Sequence, residues 1–212
     1  MHVKAHSLPC LKAPARRPEQ RGIALITAVI MLLVITMLAI AGARAALDSK
    51  RSSRNQRDFD IALQAAEAAL RDAELDIAGT GSRAAMFQQT QDFYFAQGCG
   101  TTTATPLPDI GLCDTRSMPA GTNIWDTVDW TATTAQKTVE YGTFTGMTFP
   151  TGTGLTPSRK PRYLIEVFPD RPPGGSTAEA RFIYRVTAVG FGPNDTTRAM
   201  VQMYFRKPMP NS

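Results

Sequence analysis

The sequence predicts an α+β fold in which one long amino-terminal helix packs on a small antiparallel β-sheet. Residues 23–43 form an apolar run without a charged side chain, long enough to cross a bilayer as one helix. Residues 44–79 contain no proline and no glycine before Gly79, and their apolar residues recur at three- and four-residue steps. Residues 162–205 contain three strand-like runs rich in β-branched and aromatic residues. An amphipathic helix and a one-sided sheet each need a partner, so the two should pack together.

The first segment, residues 1–22, is predicted to be a leader that stays in the cytoplasm. It contains five basic residues and one acidic residue, which accounts for +4 of the chain's formal net charge of +5. Cationic residues ahead of an apolar span hold that end of a protein in the cytoplasm, so the residues after Ala43 should lie on the far side of the membrane. Because the basic character belongs mainly to the leader, the composition does not indicate binding to nucleic acid.

Two simpler interpretations of residues 1–43 stay open at this point. A secretory signal peptide has an apolar core of roughly 7 to 15 residues, whereas this run is longer and its removal would discard the most regular helix in the chain. A plain membrane anchor fits the same pattern. A second basic cluster follows the span and is interpreted as a solvated or subunit-facing surface; its members are Arg44, Lys50, Arg51, Arg54 and Arg57.

Residues 44–79 are expected to cover the sheet with an apolar stripe. The stripe consists of Phe59, Ala62, Ala66, Ala69, Leu70, Ala73 and Ile77. Five carboxylates of the segment lie among basic residues and are interpreted as a solvated face; they are Asp58, Asp60, Asp72, Glu74 and Asp76. Gly79-Thr80-Gly81 supplies the signal that ends the helix.

Residues 80–212 form the predicted globular head. Residues 98–156 are rich in threonine, glycine and proline, which indicates loops and short strands. Clearer strands are predicted at 162–168, 181–189 and 198–205. A turn-rich connection joins the last two, so they should form an antiparallel hairpin. Variable surface loops often carry binding functions, which makes residues 98–156 the candidate binding region.

Cys99 and Cys113 are predicted to form a disulfide. The third cysteine, Cys10, lies in the leader and would be lost with it. The remaining pair is close in sequence and flanked by turn-forming residues, and an oxidising compartment should join them. Two cysteines without a histidine nearby make a poor zinc site, so no metal and no cofactor is predicted.

The sequence predicts no catalytic site. Both histidines, His2 and His6, lie in the leader, so the processed chain would have no imidazole for acid–base or nucleophilic chemistry. The glycine pairs of the head lack the helix and lysine that follow in a phosphate-binding loop. The sequence therefore predicts a protein that works through its binding surfaces and is not an enzyme.

Gly22, followed by Ile23-Ala-Leu-Ile-Thr27, resembles the leader junction of type IV prepilins. In that class a peptidase cuts after the glycine on the cytoplasmic side, so the resemblance implies cleavage after Gly22 and N-methylation of Ile23. Within the class, residues 20–26, 64–74, 161–166 and 184–192 resemble the PilX minor pilins. These blocks touch both ends of the chain and leave the threonine-rich middle uncovered.

Thr27 is a departure from most type IV pilins, which carry a glutamate five residues after the cut. By resemblance, that glutamate neutralises the amino terminus of a neighbouring subunit during assembly. A carboxylate at this depth is costly unless paired, whereas a threonine hydroxyl can bond to the preceding helical turn. A subunit with no neighbour above it has no amine to neutralise. Thr27 is therefore interpreted as the mark of a tip-proximal or initiating subunit, with a merely tolerated helix residue as the alternative.

The resemblance also implies partners and a location. The partners would be the prepilin peptidase/methyltransferase, other minor pilins, the major pilin, the inner-membrane assembly platform and a PilY-type tip adhesin. The chain would cross the inner membrane once, with a periplasmic head, before it enters a surface pilus. Two alternatives stay open: an uncleaved, membrane-anchored periplasmic scaffold or binding protein, and a K-type pseudopilin of type II secretion, whose head is usually larger.

Overall fold

The computed structural model describes residues 21–79, 83–87, 92–100, 109–170 and 181–207. Residues 1–20 of the predicted leader lie outside the described residues. The described part of the chain begins with helix α1 (Arg21–Ala78), followed by a turn of 3-10 helix (Ala84–Met86). The remaining elements are β1 (Ala96–Gln97), β2 (Leu112–Asp114), α2 (Ile124–Thr127), β3 (Val139–Glu140), β4 (Arg162–Asp170), β5 (Arg181–Phe191) and β6 (Arg198–Phe205).

The internal contacts divide the chain into two units, Met1–Arg51 and Ser52–Ser212. In the first unit, the described residues belong to α1 and include the apolar run. The second unit contains the carboxy-terminal part of α1 together with the predicted globular residues, and from here on the whole unit is called the head. In it α1 is rich in alanine, the strongest helix former, and contains no proline. The helix ends at Ala78, where the N–H of Gly79 donates to the carbonyl oxygen of Leu75 at 2.8 Å. This position confirms the predicted stop signal.

The sheet is mixed, so the prediction of an antiparallel sheet is only partly right. The strand order is β1-β2-β4-β5-β6, with β3 paired to the beginning of β4. The three long strands form the predicted antiparallel array, and Tyr163 lies opposite Ala188 in β5. In contrast, β1 pairs with β2, and β2 with β4, in parallel. These two strands are two and three residues long, too short to show a period of two in the sequence.

The predicted apolar stripe of α1 is buried against the sheet in the head. Its alanines at 62, 66, 69 and 73 and Ile77 have no exposed surface. Phe59 is 45% exposed, so the buried stripe begins one turn later than predicted. Alanine side chains let the helix backbone approach β5 closely. At Gly190, the strand lies directly against the backbone of α1.

Both faces of the sheet are covered. On one face, Ala69 and Ile77 of α1 share a core with Tyr163, Ile165 and Tyr184. On the other face, the segment that contains α2 packs on the sheet; that second core includes Cys99, Cys113, Ile124, Val128, Trp130, Leu164, Val189 and Phe191. The threonine-rich segment therefore contributes short strands, as predicted, and also forms a second layer over the sheet.

The predicted disulfide is confirmed. Cys99 and Cys113 are bonded, with 4.0 Å between their Cα atoms, and both are buried in the second core. The bond joins Cys99, two residues after the end of β1, to Cys113 in the neighbouring strand β2. It ties together two strands that are too short to hold each other by backbone hydrogen bonds alone.

We expect the double variant Cys99→Ser, Cys113→Ser to lose stability because the unfolded chain regains the entropy of an open loop. For a loop of this length the loss should be about 3 kcal/mol. Both tryptophans, Trp125 and Trp130, lie in the head, so urea unfolding followed by tryptophan fluorescence reports on the head alone. Dithiothreitol should shift the midpoint of the wild-type protein and leave that of the double variant unchanged; a shift in both would contradict the assignment.

Candidate functional site

The apolar run of α1 is exposed on every side. Residues 22–50 are all exposed, and the most apolar window of this helix has a mean hydropathy of 3.0 with none of it buried. A helix that is apolar all round needs an apolar environment, either a bilayer or other helices. Within Arg21–Arg51, the part of the first unit that the structure describes, no other element covers this surface. The helix is long enough and apolar enough to cross a membrane.

Gly22, Ile23 and Thr27 lie near the start of α1. No heavy atom lies within 4 Å of the position that a Cβ of Gly22 would take, and Ile23 is 65% exposed. The hydroxyl of Thr27 donates to the carbonyl oxygen of Ala24 at 3.0 Å, one turn earlier. Thr36 makes the same kind of bond to Leu33 at 2.8 Å. The hydroxyl of Thr27 is thus satisfied within its own helix, as predicted; cleavage after Gly22 and methylation of Ile23 stay predictions.

Asp76 is buried in the head, so the interpretation of a solvated carboxylate was wrong at this position. Its side chain and that of Arg83 have no exposed surface. The Nε of Arg83 donates to both carboxylate oxygens of Asp76 at 2.9 Å, and the hydroxyl of Tyr163 donates to Oδ2 at 2.9 Å. The Arg83 guanidinium also donates to the carbonyl oxygen of Ile110 at 2.7 Å and lies 3.8 Å from the centre of the Phe144 ring. These contacts join α1 and β4 at one point with three connecting segments, which contain Arg83, Ile110 and Phe144.

Asp72, one turn before Asp76, is also buried and was also expected to be solvated. Its carboxylate accepts the backbone N–H of Gly142 at 2.8 Å and the hydroxyl of Thr145. Burial raises the pKa of Asp72, while these two hydrogen bonds oppose the rise and the negative charge of Asp76 adds to it. Asp72 therefore fastens the loop after β3 to α1, and its negative charge is disfavoured in the folded head.

We expect Asp72→Asn to make the head less sensitive to pH. A carboxyl group whose folded pKa is raised binds more protons when folded, so its contribution to stability is full at acid pH and is lost as the pH rises through that pKa. The amide of the new asparagine could still accept the N–H of Gly142 and bond to Thr145. The variant should therefore gain stability relative to wild type between about pH 4 and pH 7.

The matched variant for this prediction is Asp72→Ala, which removes both hydrogen bonds. It leaves the N–H of Gly142 unpaired and should cost about 1–3 kcal/mol across the same pH range. Urea midpoints at several pH values measure both variants. An asparagine variant whose stability changes with pH in parallel with that of wild type would show that Asp72 does not titrate in this range.

A second ion pair, between a buried carboxylate and a half-buried arginine, lies on the opposite face of the sheet. Glu166 in β4 is fully buried and accepts two hydrogen bonds from Arg185 in β5, at 2.8 and 2.6 Å. The guanidinium of Arg185 lies 4.5 Å from the ring centre of Trp125 and 4.7 Å from that of Phe168. The pairing of Glu166 with Arg185 was not predicted, because it depends on the register between β4 and β5, which the predicted bounds of the two strands did not define. The cluster fastens the segment containing α2 to the sheet.

Three buried carboxylates of the described residues are engaged within the fold. No group of three histidine, cysteine, aspartate or glutamate side chains within them could hold a metal ion. Asp72, Asp76 and Glu166 are each occupied by protein partners. The absence of a cofactor and of an enzymatic activity stays a prediction.

Comparison with protein families gave two matches. Residues 21–71 match the model described as PilX N-terminal, and residues 89–207 match the one described as type IV pilus assembly protein PilX C-term. The second match alone covers more than half of the 212 residues. No curated protein and no solved structure matches the chain. The two family matches confirm the resemblance drawn from the blocks of sequence, and the chain belongs to the PilX family of type IV pilus minor pilins.

Proposed function

We propose that this minor pilin takes part in the initiation of pilus assembly and lies at or near the tip of the filament. The observation that carries the proposal is the apolar helix, exposed on every side, with Thr27 in place of a carboxylate. Before assembly, residues 23–43 would hold the chain in the inner membrane, with the amino terminus in the cytoplasm and the head in the periplasm. Prepilin peptidase would cut after Gly22, and Ile23 would be N-methylated.

The apolar helix supports transfer from a bilayer to a filament. Each apolar side chain that leaves water contributes about 1.5–3 kcal/mol, so this surface must stay out of water at every stage. A bundle of neighbouring pilin helices offers an environment like that of the bilayer. The same residues would therefore serve as membrane anchor first and as packing surface later.

Thr27 supports a position at the tip. A glutamate near the end of a buried apolar helix is favourable only where a positive charge lies next to it. Thr27 has already satisfied its hydroxyl within α1, so it needs no such partner. A subunit at the tip has no neighbour above it and therefore no positive amino terminus to pair with a glutamate, so Thr27 suits that position. Its contacts would be with other minor pilins, the major pilin, the assembly platform and a PilY-type adhesin.

The first test is the mass and amino-terminal residue of the protein, taken from membranes and from sheared filaments. Cells with and without prepilin peptidase should be compared. We expect an N-methylated Ile23 terminus that depends on the peptidase, and only trace amounts in filaments. Gly22→Val should block processing, whereas Gly42→Ala, at a glycine that is also without neighbours within 4 Å, should not. An intact leader in every fraction would instead indicate a membrane-anchored protein outside the filament.

The role of Thr27 is tested separately from cleavage. We expect Thr27→Glu to reduce the number of pili or to spread the protein along the shaft, because the new carboxylate would seek the amine of another subunit. Thr27→Ala is the control, since it removes the hydroxyl without adding a charge, and it should assemble normally. Immunogold labelling gives the position, and pilus counts give assembly. If Thr27→Glu changes neither the position of the protein in the filament nor the number of pili, Thr27 does not mark a tip subunit.

A further inference from the structure

We propose that the face of α1 just beyond the apolar run binds the headgroups of anionic phospholipids at the periplasmic surface of the inner membrane. The face consists of Arg44, Leu47, Lys50 and Arg51, and we call it the collar. The inference rests on the membrane-anchored stage of the proposed function. It gives a role to part of the basic cluster that pilus assembly leaves unexplained.

The collar lies at the depth of the headgroups. The apolar run, residues 23–43, is about 32 Å long as a helix, which matches a hydrocarbon core of about 30 Å. Arg44 follows this run directly, and Arg51 lies about 10 Å further along α1. The Cα–Cβ bonds of a helix tilt toward its amino terminus. Lys50 and Arg51 therefore lean back toward the membrane and can place their charges in the phosphate layer.

The four side chains of the collar share one side of the helix. At 3.6 residues per turn they fall within about 120° of its circumference. Leu47 lies among the basic residues of this face and is 57% exposed. An apolar side chain flanked by cations is typical of helices at a membrane interface, where the apolar group enters the acyl boundary and the cations reach the headgroups.

The positive charges of the collar are available to a ligand. All four residues are exposed. The ion pair of Arg51 with Asp48 spans 3.9 Å, and the two side chains are 80% and 76% exposed, so the pair is weak. It is the one salt bridge that the collar makes among the described residues. Three basic residues against Asp48 leave the collar with a net positive charge for an anionic surface.

The collar could instead bind an acidic surface on another pilin. The lipid surface is favoured because the collar is continuous with the membrane span and so lies beside the headgroups whenever the chain is anchored. Each basic residue close to an anionic surface strengthens binding about fivefold. The cations would then help to hold the chain in the bilayer until it is extracted.

Native mass spectrometry of the full-length protein in detergent tests the collar. The probes are phosphatidylglycerol and phosphatidylcholine with the same acyl chains. We expect the wild-type protein to bind phosphatidylglycerol at least about 25-fold more tightly than phosphatidylcholine, because each basic residue of the collar contributes about fivefold. The variant Lys50→Gln, Arg51→Gln removes two of them and should lose about 25-fold in affinity for phosphatidylglycerol and none for phosphatidylcholine.

The control is Arg54→Gln, Arg57→Gln, which removes the same charge from positions later in the chain. It should keep the preference for phosphatidylglycerol. An equal loss in both variants, or no preference in the wild-type protein, would overturn the proposal. Alkaline carbonate extraction of cell membranes distinguishes failure of the collar proposal from failure of the proposed function. If the protein resists extraction but shows no lipid preference, the collar proposal alone is wrong. If carbonate releases the protein, the membrane-anchored stage of the proposed function is wrong as well.

Discussion

Replacing Gly190 with alanine is expected to destabilise the head by about 3 kcal/mol or more. Gly190 lies in β5 where the strand crosses α1. A Cβ there would overlap the carbonyl oxygen of Ala62 and the backbone nitrogen of Ala66, and would lie 2.9 Å from the carbonyl carbon of Ala65. These are backbone atoms of a helix, so no rotation of a side chain can relieve the overlap. The helix would have to move off the sheet and lose contacts along the whole alanine stripe.

The matched control for this prediction is Gly152→Ala. A Cβ at Gly152 would meet only the hydroxyl of Thr156 at 3.6 Å, an ordinary contact. This variant should be neutral or gain up to about 1 kcal/mol, since alanine restricts the unfolded chain. Urea unfolding of both full-length variants in mild detergent, followed by tryptophan fluorescence, gives the two free energies of unfolding. Equal midpoints would mean that α1 does not lie as close to β5 as the structure places it.

The sequence was sufficient to predict elements that depend on local patterns. The apolar run and the alanine stripe have the helical period, and Gly79 marks the end of the helix. The strand-forming runs predicted at 181–189 and 198–205 form the expected antiparallel pair. Gly22, Ile23 and Thr27 were selected by a motif that needs only contiguous residues. Local information also placed the two cysteines of the disulfide close enough to bond.

Several of the interactions that the sequence did not predict join residues far apart in the chain. Asp72 and Asp76 were assigned to a solvated face because charged side chains are rarely buried without partners. Two of their partners, Thr145 and Tyr163, come 73 and 87 residues later. Arg83 comes only seven residues after Asp76, but it lies beyond the end of α1, where the sequence does not define the direction of its side chain. The phase of the helix was a usable signal, because Asp72 and Asp76 adjoin the buried stripe positions Ala69 and Ala73.

We expect Arg83→Met to destabilise the head by about 3–5 kcal/mol, because it leaves Asp76 as a buried charge without its cation. Methionine fills much of the space beside Phe144 and Phe87, so the loss should come from charge and hydrogen bonding more than from a cavity. The hydroxyl of Tyr163 would be the main remaining donor to the Asp76 carboxylate. Its one hydrogen bond cannot replace those of a guanidinium. Urea unfolding with tryptophan fluorescence measures the loss.

Two further variants separate this mechanism from a general loss of packing. Arg71→Met breaks the exposed pair of Arg71 with Glu74 and should cost at most about 1 kcal/mol, since solvent screens both charges. The double variant Asp76→Leu, Arg83→Met removes both buried charges and should be more stable than Arg83→Met alone, because no unpaired ion remains in the core. A double variant that is less stable than the single one would mean that Asp76 contributes mainly through Tyr163. The buried pair would then act as a hydrogen-bonded link between α1 and β4, with the charge of Arg83 secondary.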